Sequence, residues 1–298
     1  NEILNNSLTK GGYYTDLTSF PAAHSVKIIN ALSSDLNVMR QTLLFGGLEN
    51  IAYNANRRNA DLKFYEFGNC YYYNADNKKE GETLAAYAED FHLAMWLTGN
   101  KQAQSWTVAD QKASVYELKA YIENIFRRLG FNLRKLVTGE YADDLLSEAL
   151  TVYSARGNKL AVYGIVHPKI RKVMDIDKEV FYADLNWNAI LSEIGKHKVQ
   201  YAEISKFPEV KRDLALLIDK NLTFAEIEKI AYETERKLLK KVTLFDVYEG
   251  KNLEAGKKSY AVSFILQDET KTLTDTQIDG IMKKMLTNFE NKLGAKLR

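Results

Sequence analysis

The sequence predicts an α+β protein, and two kinds of local pattern lead to that prediction. In about the last ninety residues, apolar side chains recur at every second position in some runs and at helical spacing in others. Two of the helical runs begin with a capping box, in which a threonine is followed three residues later by Glu or Gln. The runs follow one another as strand, helix, strand, strand, helix, strand, which is the split βαβ arrangement.

The first strand and the first helix of this segment follow a proline. Pro208 disfavours helix in the residue before it, and apolar residues then alternate as far as Ile218. Thr223 and Glu226 form the first capping box, and apolar residues recur at helical spacing after it. A helix is therefore predicted over residues 223–239.

A hairpin and a second helix complete the segment. The runs 242–247 and 260–266 share a two-residue period and are separated by a Lys/Gly-rich turn. The second capping box begins at Thr274, and Gly294 ends the helix that follows. Residues 295–298 are short enough for an edge strand. Two helices on one face of a four-stranded antiparallel sheet form a ferredoxin-like fold.

Five sequence blocks in this segment resemble the ferredoxin-fold anticodon-binding domain. In order, they read FPEVKRDLALLID, LFDVYEG, KKSYAVSFILQ, KTLTDTQI and GAKLR. Five ordered blocks over one segment are far more specific than a single short motif. The family that this resemblance points to is the β subunit of bacterial phenylalanyl-tRNA synthetases, which ends in such a domain.

The preceding two thirds of the chain resemble the class II synthetase-like domain of the same family. The similar blocks are SSDLNVMR at 33–40, NANR at 54–57, FYEFG at 64–68, VYELK at 115–119 and GIVHP at 164–168. Phe45 stands where proline is usual, and Ala120 where glycine is common. A length of 298 residues is typical of about two domains. We therefore expect a class II synthetase-like antiparallel-sheet domain at 1–200 and a ferredoxin-like βαββαβ domain at 205–298.

The resemblance implies a function that the chain does not perform alone. In the family, the synthetase-like domain of the β subunit is catalytically silent and packs against the catalytic α subunit, in a heterotetramer of two α and two β subunits. The anticodon-binding domain holds the anticodon stem-loop of tRNA-Phe. The chain, which begins with Asn1 and not Met, is expected to be an inactive C-terminal fragment of a phenylalanine–tRNA ligase. The assembled enzyme would use ATP and magnesium, and no cofactor is expected in this fragment.

The predicted ferredoxin-like sheet offers a face for RNA. The face without helices can stack unpaired bases, while basic side chains contact phosphates or base edges. The candidate tRNA-binding residues are Phe207, Lys211, Arg212, Lys257, Lys258, Tyr260, Lys271, Thr272 and Arg298. Phe207 and Tyr260 are the candidates for stacking. For every candidate in this list the alternative is a structural role, as a core aromatic residue or as a solvated charge. Lys283 and Lys284 are interpreted as ordinary solvent-facing charges.

The sequence argues against amino acid activation by this chain. Activation in a class II fold needs a glycine-rich segment ending in arginine, and no Gly-x-Gly-x-Gly followed by Arg is present. The glycine pairs at 11–12 and 46–47 are interpreted as turns. Arg40 and Glu66 occupy positions where the resemblance would place active-site residues. We interpret them as a buried ion pair or an interface contact, with vestigial chemistry as the alternative.

Other functional classes receive little support. The four histidines are scattered, so no metal site is predicted. Cys70 precedes three tyrosines in a predicted strand and is interpreted as an inert buried thiol. A single cysteine, and apolar runs shorter than the ~18 residues that span a membrane, favour a cytoplasmic protein without membrane or DNA partners. The apolar stretch 84–97 is interpreted as a core helix, with a subunit interface as the alternative.

Two other functions remain open at this point. A freestanding RNA-binding or regulatory adapter would be a stable monomer that binds structured RNA unaided. An independent class II ligase would show ATP-pyrophosphate exchange, although the phosphate-binding arginines that it needs are missing. Composition does not separate these alternatives from the synthetase β subunit.

Overall fold

The computed structural model of the chain describes residues 1–102, 105–195, 201, 203–250 and 253–298. The chain divides into two compact units, Asn1–Val199 and Gln200–Arg298. Each unit contains its own antiparallel sheet. The overall class is therefore α+β, as the sequence predicts.

The first unit is built on a six-stranded antiparallel sheet with the order β3-β4-β8-β7-β6-β5, beside a two-stranded ribbon of β1 and β2. Its helices and strands are β1 (Leu8–Thr9), β2 (Val38–Met39), α1 (Leu44–Ala55), β3 (Leu62–Tyr73), β4 (Tyr87–Thr98), α2 (Val115–Arg128), β5 (Val137–Tyr141), β6 (Leu146–Tyr153), β7 (Lys159–Val166), α3 (Pro168–Val173), β8 (Val180–Asn186) and α4 (Trp187–Ile194).

Strand β4 shows that the helix predicted at 84–97 is wrong. Side chains that alternate along this strand enter two different cores. Leu93 and Met95 pack in the core that contains α2, whereas Ala94 and Trp96 pack in the core that contains α1. A strand buried on both faces is apolar at nearly every position, so its sequence does not show the two-residue period that distinguishes a strand from a helix.

The glycines at 46–47 are also not a turn, because they lie inside helix α1. A Cβ atom added to Gly47 would lie 2.1 Å from Cε2 of Trp96. The absence of a side chain at this position therefore lets α1 approach β4 closely. The pair at 11–12 does begin a short 3-10 turn, Gly11–Tyr14, as predicted.

The second unit has the predicted ferredoxin-like order of elements. They are β9 (Val210–Asp219), α5 (Phe224–Thr234), β10 (Leu239–Tyr248), β11 (Lys257–Leu266), α6 (Asp275–Leu293) and β12 (Lys296–Leu297). The antiparallel sheet has the order β10-β11-β9-β12. Apolar residues of α5 and α6, among them Ile227 and Phe289, share one core with the sheet. The hairpin, the second helix and the edge strand are thus confirmed.

Both predicted capping boxes are present, at Thr223 and Thr274, and Gly294 ends α6 with φ of 61°. The first helix, however, ends at Thr234 and not near residue 239. The Glu235 side chain accepts hydrogen bonds from the two backbone N–H groups of residues 237 and 238, which stabilises a turn. Leu238 lies in this turn, and Leu239 begins the next strand. Among the described residues, no helix is long and apolar enough to cross a membrane.

Candidate nucleic-acid interface

The register of the second sheet divides its side chains between two faces. Leu216 pairs with Tyr260 and Ile218 with Lys258, and the apolar members of these pairs belong to the core beneath the helices. The alternate positions, which include Ala215 paired with Ala261, point to the opposite side because side chains alternate along a strand. We call this opposite side the helix-free face.

Two candidates for RNA contact lie on the side of the sheet that packs against the helices. Tyr260 and Lys258 are each only 8% exposed and face the helices. The Lys258 Nζ atom lies 4.6 Å from the centroid of the Tyr260 ring. Because the ring is covered, the prediction that Tyr260 stacks on a base is corrected, and it is a core aromatic residue. Lys258 lies above that ring and not on the helix-free face.

The centre of the helix-free face carries short side chains. On the two central strands, Ala215 and Leu217 of β9 lie beside Ala261, Ser259 and Ser263 of β11. Apart from Leu217, these residues rise little above the backbone. Ser259 and Ser263 are each only 4% exposed, so longer side chains of this face cover part of this shallow floor.

Arg298 reaches across this floor. Its backbone N–H donates to the carbonyl oxygen of Ala215 at 2.9 Å, which places Arg298 next to strand β9. Its guanidinium carbon lies 4.8 Å from the ring centroid of Tyr248, at the end of β10. Strands β10 and β12 are opposite edges of the sheet, so the side chains of Arg298 and Tyr248 meet above the short side chains between them. Arginine planes and tyrosine rings are surfaces on which unpaired bases stack.

A second cation lies over an aromatic ring at the same face. The Lys211 Nζ atom lies 5.4 Å from the centroid of the Phe245 ring. Lys211 also pairs with Asp213 at 3.6 Å, in a contact that is largely exposed to solvent. An exposed ion pair of this kind is weak, so a phosphate can replace the carboxylate at little cost.

The other candidates are more dispersed. Lys257 shares the helix-free face but is paired with Asp219 at 2.9 Å, at the far end of β9 from Lys211. Arg212 points to the helix side and lies 3.4 Å from Asp275 at the start of α6. Phe207 is half-buried, and its carbonyl oxygen accepts a hydrogen bond from Gln267. The remaining candidates, Lys271 and Thr272, are exposed before α6, and Lys283 and Lys284 are exposed on it.

Sequence reasoning missed Tyr248 and Phe245. The pairing of β10 with β11 shifts between Leu244 and Asp246, so a bulge changes which side of the sheet the later residues face. Simple alternation along β10 does not reveal this change. The signal that was available lies in β11, where large apolar residues alternate with Ser259, Ala261 and Ser263. That alternation assigns Tyr260 to the core side.

In the first unit, Arg40 and Glu66 form a buried ion pair, which confirms the structural interpretation. The Nη1 atom of Arg40 lies 2.7 Å from Oε1 of Glu66, and both side chains are almost fully buried. Asn5 donates two further hydrogen bonds to Glu66, and Arg40 donates one to the carbonyl oxygen of Asn69. Their charges are therefore directed at each other and at neighbouring groups of the protein.

Two further side chains of this unit, Cys70 and His167, also have structural roles. Cys70 is fully buried, and burial raises the pKa of its thiol well above its ordinary value, so the inert interpretation is confirmed. His167 accepts a hydrogen bond from the backbone N–H of Lys169 and precedes helix α3. Within the described residues, no group of three or more His, Cys, Asp or Glu side chains is placed to hold a metal ion.

Two family models together match nearly the whole chain. Residues 1–187 match the phenylalanyl tRNA synthetase beta chain CLM domain. Residues 205–298 match the ferredoxin-fold anticodon binding domain. The boundary between the two compact units falls in the segment 188–204, which separates the two matches.

Curated relatives agree with these models. Proteins named phenylalanine–tRNA ligase beta subunit are 63% identical in Bacteroides fragilis, 62% in Bacteroides thetaiotaomicron and 47% in Porphyromonas gingivalis, in each case over all 298 residues of this chain. The chain spans 36% of the length of each of these relatives. Because the β-chain model alone covers residues 1–187 and the β subunits named above are similar over all 298 residues, the chain belongs to the phenylalanyl-tRNA synthetase β-chain family.

Proposed function

We propose that the chain is a non-catalytic portion of a phenylalanine–tRNA ligase β subunit. In this role it contributes to an enzyme that joins phenylalanine to tRNA-Phe with the use of ATP, in the cytoplasm, where charged tRNA is consumed. The support is the family membership and the identity of up to 63% with β subunits of that name.

The second unit, in this proposal, binds the anticodon stem-loop of tRNA-Phe through its helix-free face. The observation that carries the proposal is the contact of Arg298 with Tyr248 above a floor of alanine and serine side chains. This arrangement combines a cation for phosphates with flat groups for unpaired bases, which are the two requirements of single-stranded RNA binding. Lys211 and Phe245 repeat the combination nearby.

The first unit, in this proposal, scaffolds the catalytic α subunit, and ATP and magnesium are bound by that partner. Arg40 and Glu66 support this division of labour because they are buried against each other and offer no free charge to a nucleotide phosphate. A heterotetramer of two α and two β subunits is the assembly that the family resemblance implies.

Fluorescence anisotropy with a labelled anticodon stem-loop of tRNA-Phe tests the RNA-binding role. We expect the stem-loop to bind at least about tenfold more tightly than a matched stem-loop with abasic anticodon positions, since each stacked base is worth ~1–3 kcal/mol. The duplex stem without its loop should bind weakest. Equal affinities for all three molecules would contradict the proposal.

Light scattering on a size-exclusion column tests the scaffolding role. The protein is run alone and mixed with the catalytic α subunit from the same organism. A mixed complex is the expected result. Two unshifted peaks, with RNA binding retained, would contradict scaffolding by these residues and favour an RNA-binding adapter.

A further inference from the structure

The first unit contains a cavity of about 200 Å³ that the proposed function does not use. It lies against strands β4, β7 and β8 and is bordered by Tyr141 at the end of β5. Part of its wall is apolar and includes Leu145, Leu146 and Val162. The Arg40–Glu66 pair is not among its lining residues. This cavity is therefore a separate feature of the unit.

Besides the carboxylate of Asp143, two opposite charges line the cavity without meeting. Lys159 and Asp184 both contribute to the wall, yet within the described part of the chain neither forms an ion pair with the other at 4.0 Å or less. Lys159 is exposed and lies at the solvent side of the cavity, and Oδ1 of Asp143 already accepts hydrogen bonds from the backbone N–H groups of Leu145 and Leu146. A gap between a cation and a carboxylate in one cavity is suited to a ligand that carries both charges.

The Lys159 ammonium group and the Asp184 carboxylate each have one neighbouring group of the protein beside them. The Lys159 Nζ atom lies 4.3 Å from the ring centroid of Tyr141. Oδ1 of Asp184 lies 2.6 Å from Nδ1 of His92, and no described residue donates to its Oδ2. The ammonium group and the carboxylate thus retain hydrogen-bonding capacity for a molecule in the cavity.

A third lining residue has a polar atom without a partner. His92 is only 9% exposed, and in the described structure its Nε2 atom is buried without a hydrogen bond. Buried polar atoms are nearly always hydrogen-bonded, so an orphaned nitrogen at the wall of a cavity requires an explanation. The Nε2 atom is itself inaccessible to solvent, so it points away from the open space of the cavity, and the argument for a ligand depends on Lys159 and Asp184.

We propose that this cavity binds a free α-amino acid with an apolar side chain of about the size of leucine. The carboxylate of the ligand pairs with Lys159, and its ammonium group pairs with Asp184. Its side chain lies against the apolar wall near Leu145 and Val162. An engineered apolar cavity of ~150 Å³ holds benzene, so about 200 Å³ accommodates a molecule of roughly ten non-hydrogen atoms.

Isothermal titration calorimetry of the protein with L-leucine tests the proposal, and the catalytic α subunit is left out because it would contribute another amino acid site. Two analogues serve as controls on the unmodified protein: isoamylamine lacks the carboxylate and 4-methylpentanoate lacks the ammonium group. We expect saturable binding of leucine to one site, and at least about tenfold weaker binding of each analogue, because each loses a charge-assisted hydrogen bond. Absence of leucine binding, or equal binding of leucine and both analogues, would overturn the proposal.

A pair of lysine variants locates the site. Lys159→Met removes the cation at the cavity and retains most of the side-chain length, whereas Lys172→Met makes the same change on the exposed side of α3. Leucine binding should weaken about tenfold or more in the first variant and stay within about twofold in the second. Equal affinities of the two variants would place the leucine elsewhere. Circular dichroism checks that both are folded, and the analogue series remains decisive if Lys159→Met is not.

Discussion

At the scale of single residues, the first unit depends on a buried ion pair that is fully supplied with partners. Glu66 receives one hydrogen bond from Arg40 and two from Asn5, while Arg40 also donates to the carbonyl oxygen of Asn69. Burying two charges is costly, and their mutual attraction repays the cost only when such additional bonds are made. Removing one partner leaves the other as an uncompensated charge in the core.

Arg40→Met is therefore expected to lower the free energy of unfolding by about 3–5 kcal/mol. Urea unfolding followed by circular dichroism measures the change. Lys10→Met is the matched control, because Lys10 pairs with Asp35 at 3.8 Å on the surface and should contribute less than about 1 kcal/mol. Similar losses in both variants would refute the structural role assigned to the buried pair.

His92 gives the first unit a predictable dependence on pH. Burial alone lowers the pKa of His92, but the hydrogen bond and the charge of Asp184 outweigh it and raise the pKa above its ordinary value. A raised pKa in the folded state means that protonation stabilises the fold. The stabilisation is fully present below the unfolded pKa of ~6.5 and is lost as the pH rises through the folded value.

The variant Asp184→Asn should flatten this dependence. Between about pH 6 and about pH 9, the natural protein is expected to lose more unfolding free energy than the variant, since only the natural protein loses the His92–Asp184 attraction. Urea unfolding at several pH values measures both slopes. If the variant loses as much as the natural protein, the pair does not control stability in this range.

At the scale of elements, the contact of α1 with β4 depends on a glycine. Gly47→Ala would place Cβ 2.1 Å from the Trp96 ring, and we expect a destabilisation of about 1–3 kcal/mol. The same substitution at Gly280 in α6 meets nothing within 4 Å and should be neutral or stabilising by up to ~1 kcal/mol. Thermal unfolding compares the two. Shifts of the same sign would contradict the close packing described here.

The elements also show where sequence patterns are sufficient. Helix α6 was predictable at both ends, because Thr274 and Gly294 act through local hydrogen bonds and backbone conformation that sequence alone specifies. Strand β4 was not predictable, because its apolar residues pack in two different cores, one on each face of the sheet. Burial on both faces removes the two-residue period that would identify a strand. The end of α5 was predicted too late, because the leucines after Thr234 fit a helix as well as a strand.

At the scale of the whole molecule, the resemblance predicted the family and the two kinds of fold, but the sequence did not assign the candidate RNA-binding residues to one face of the sheet. Lys211 and Arg298 lie on the helix-free face, whereas Tyr260 faces the helices. The position of Tyr248 on the helix-free face depends on the bulge in β10, which the sequence pattern does not show. The sign of a charge can be read from the sequence, but the face that a side chain occupies depends on register and on what covers the sheet.

A comparison of two double variants tests whether the helix-free face binds the anticodon stem-loop. Lys211→Gln with Arg298→Gln removes two positive charges from that face, and Lys283→Gln with Lys284→Gln removes two from the exposed side of α6. Both changes alter the net charge equally. Affinity for the labelled stem-loop is measured by anisotropy at several salt concentrations.

We expect the first double variant to bind the stem-loop at least about tenfold more weakly. The slope of the logarithm of the binding constant against the logarithm of the salt concentration should fall in magnitude by about 1.4, since each lost phosphate contact on a single strand removes ~0.7. The second double variant should stay within about twofold of the natural protein. Equal weakening in both variants would mean that net charge alone governs binding. That result would contradict recognition by the helix-free face.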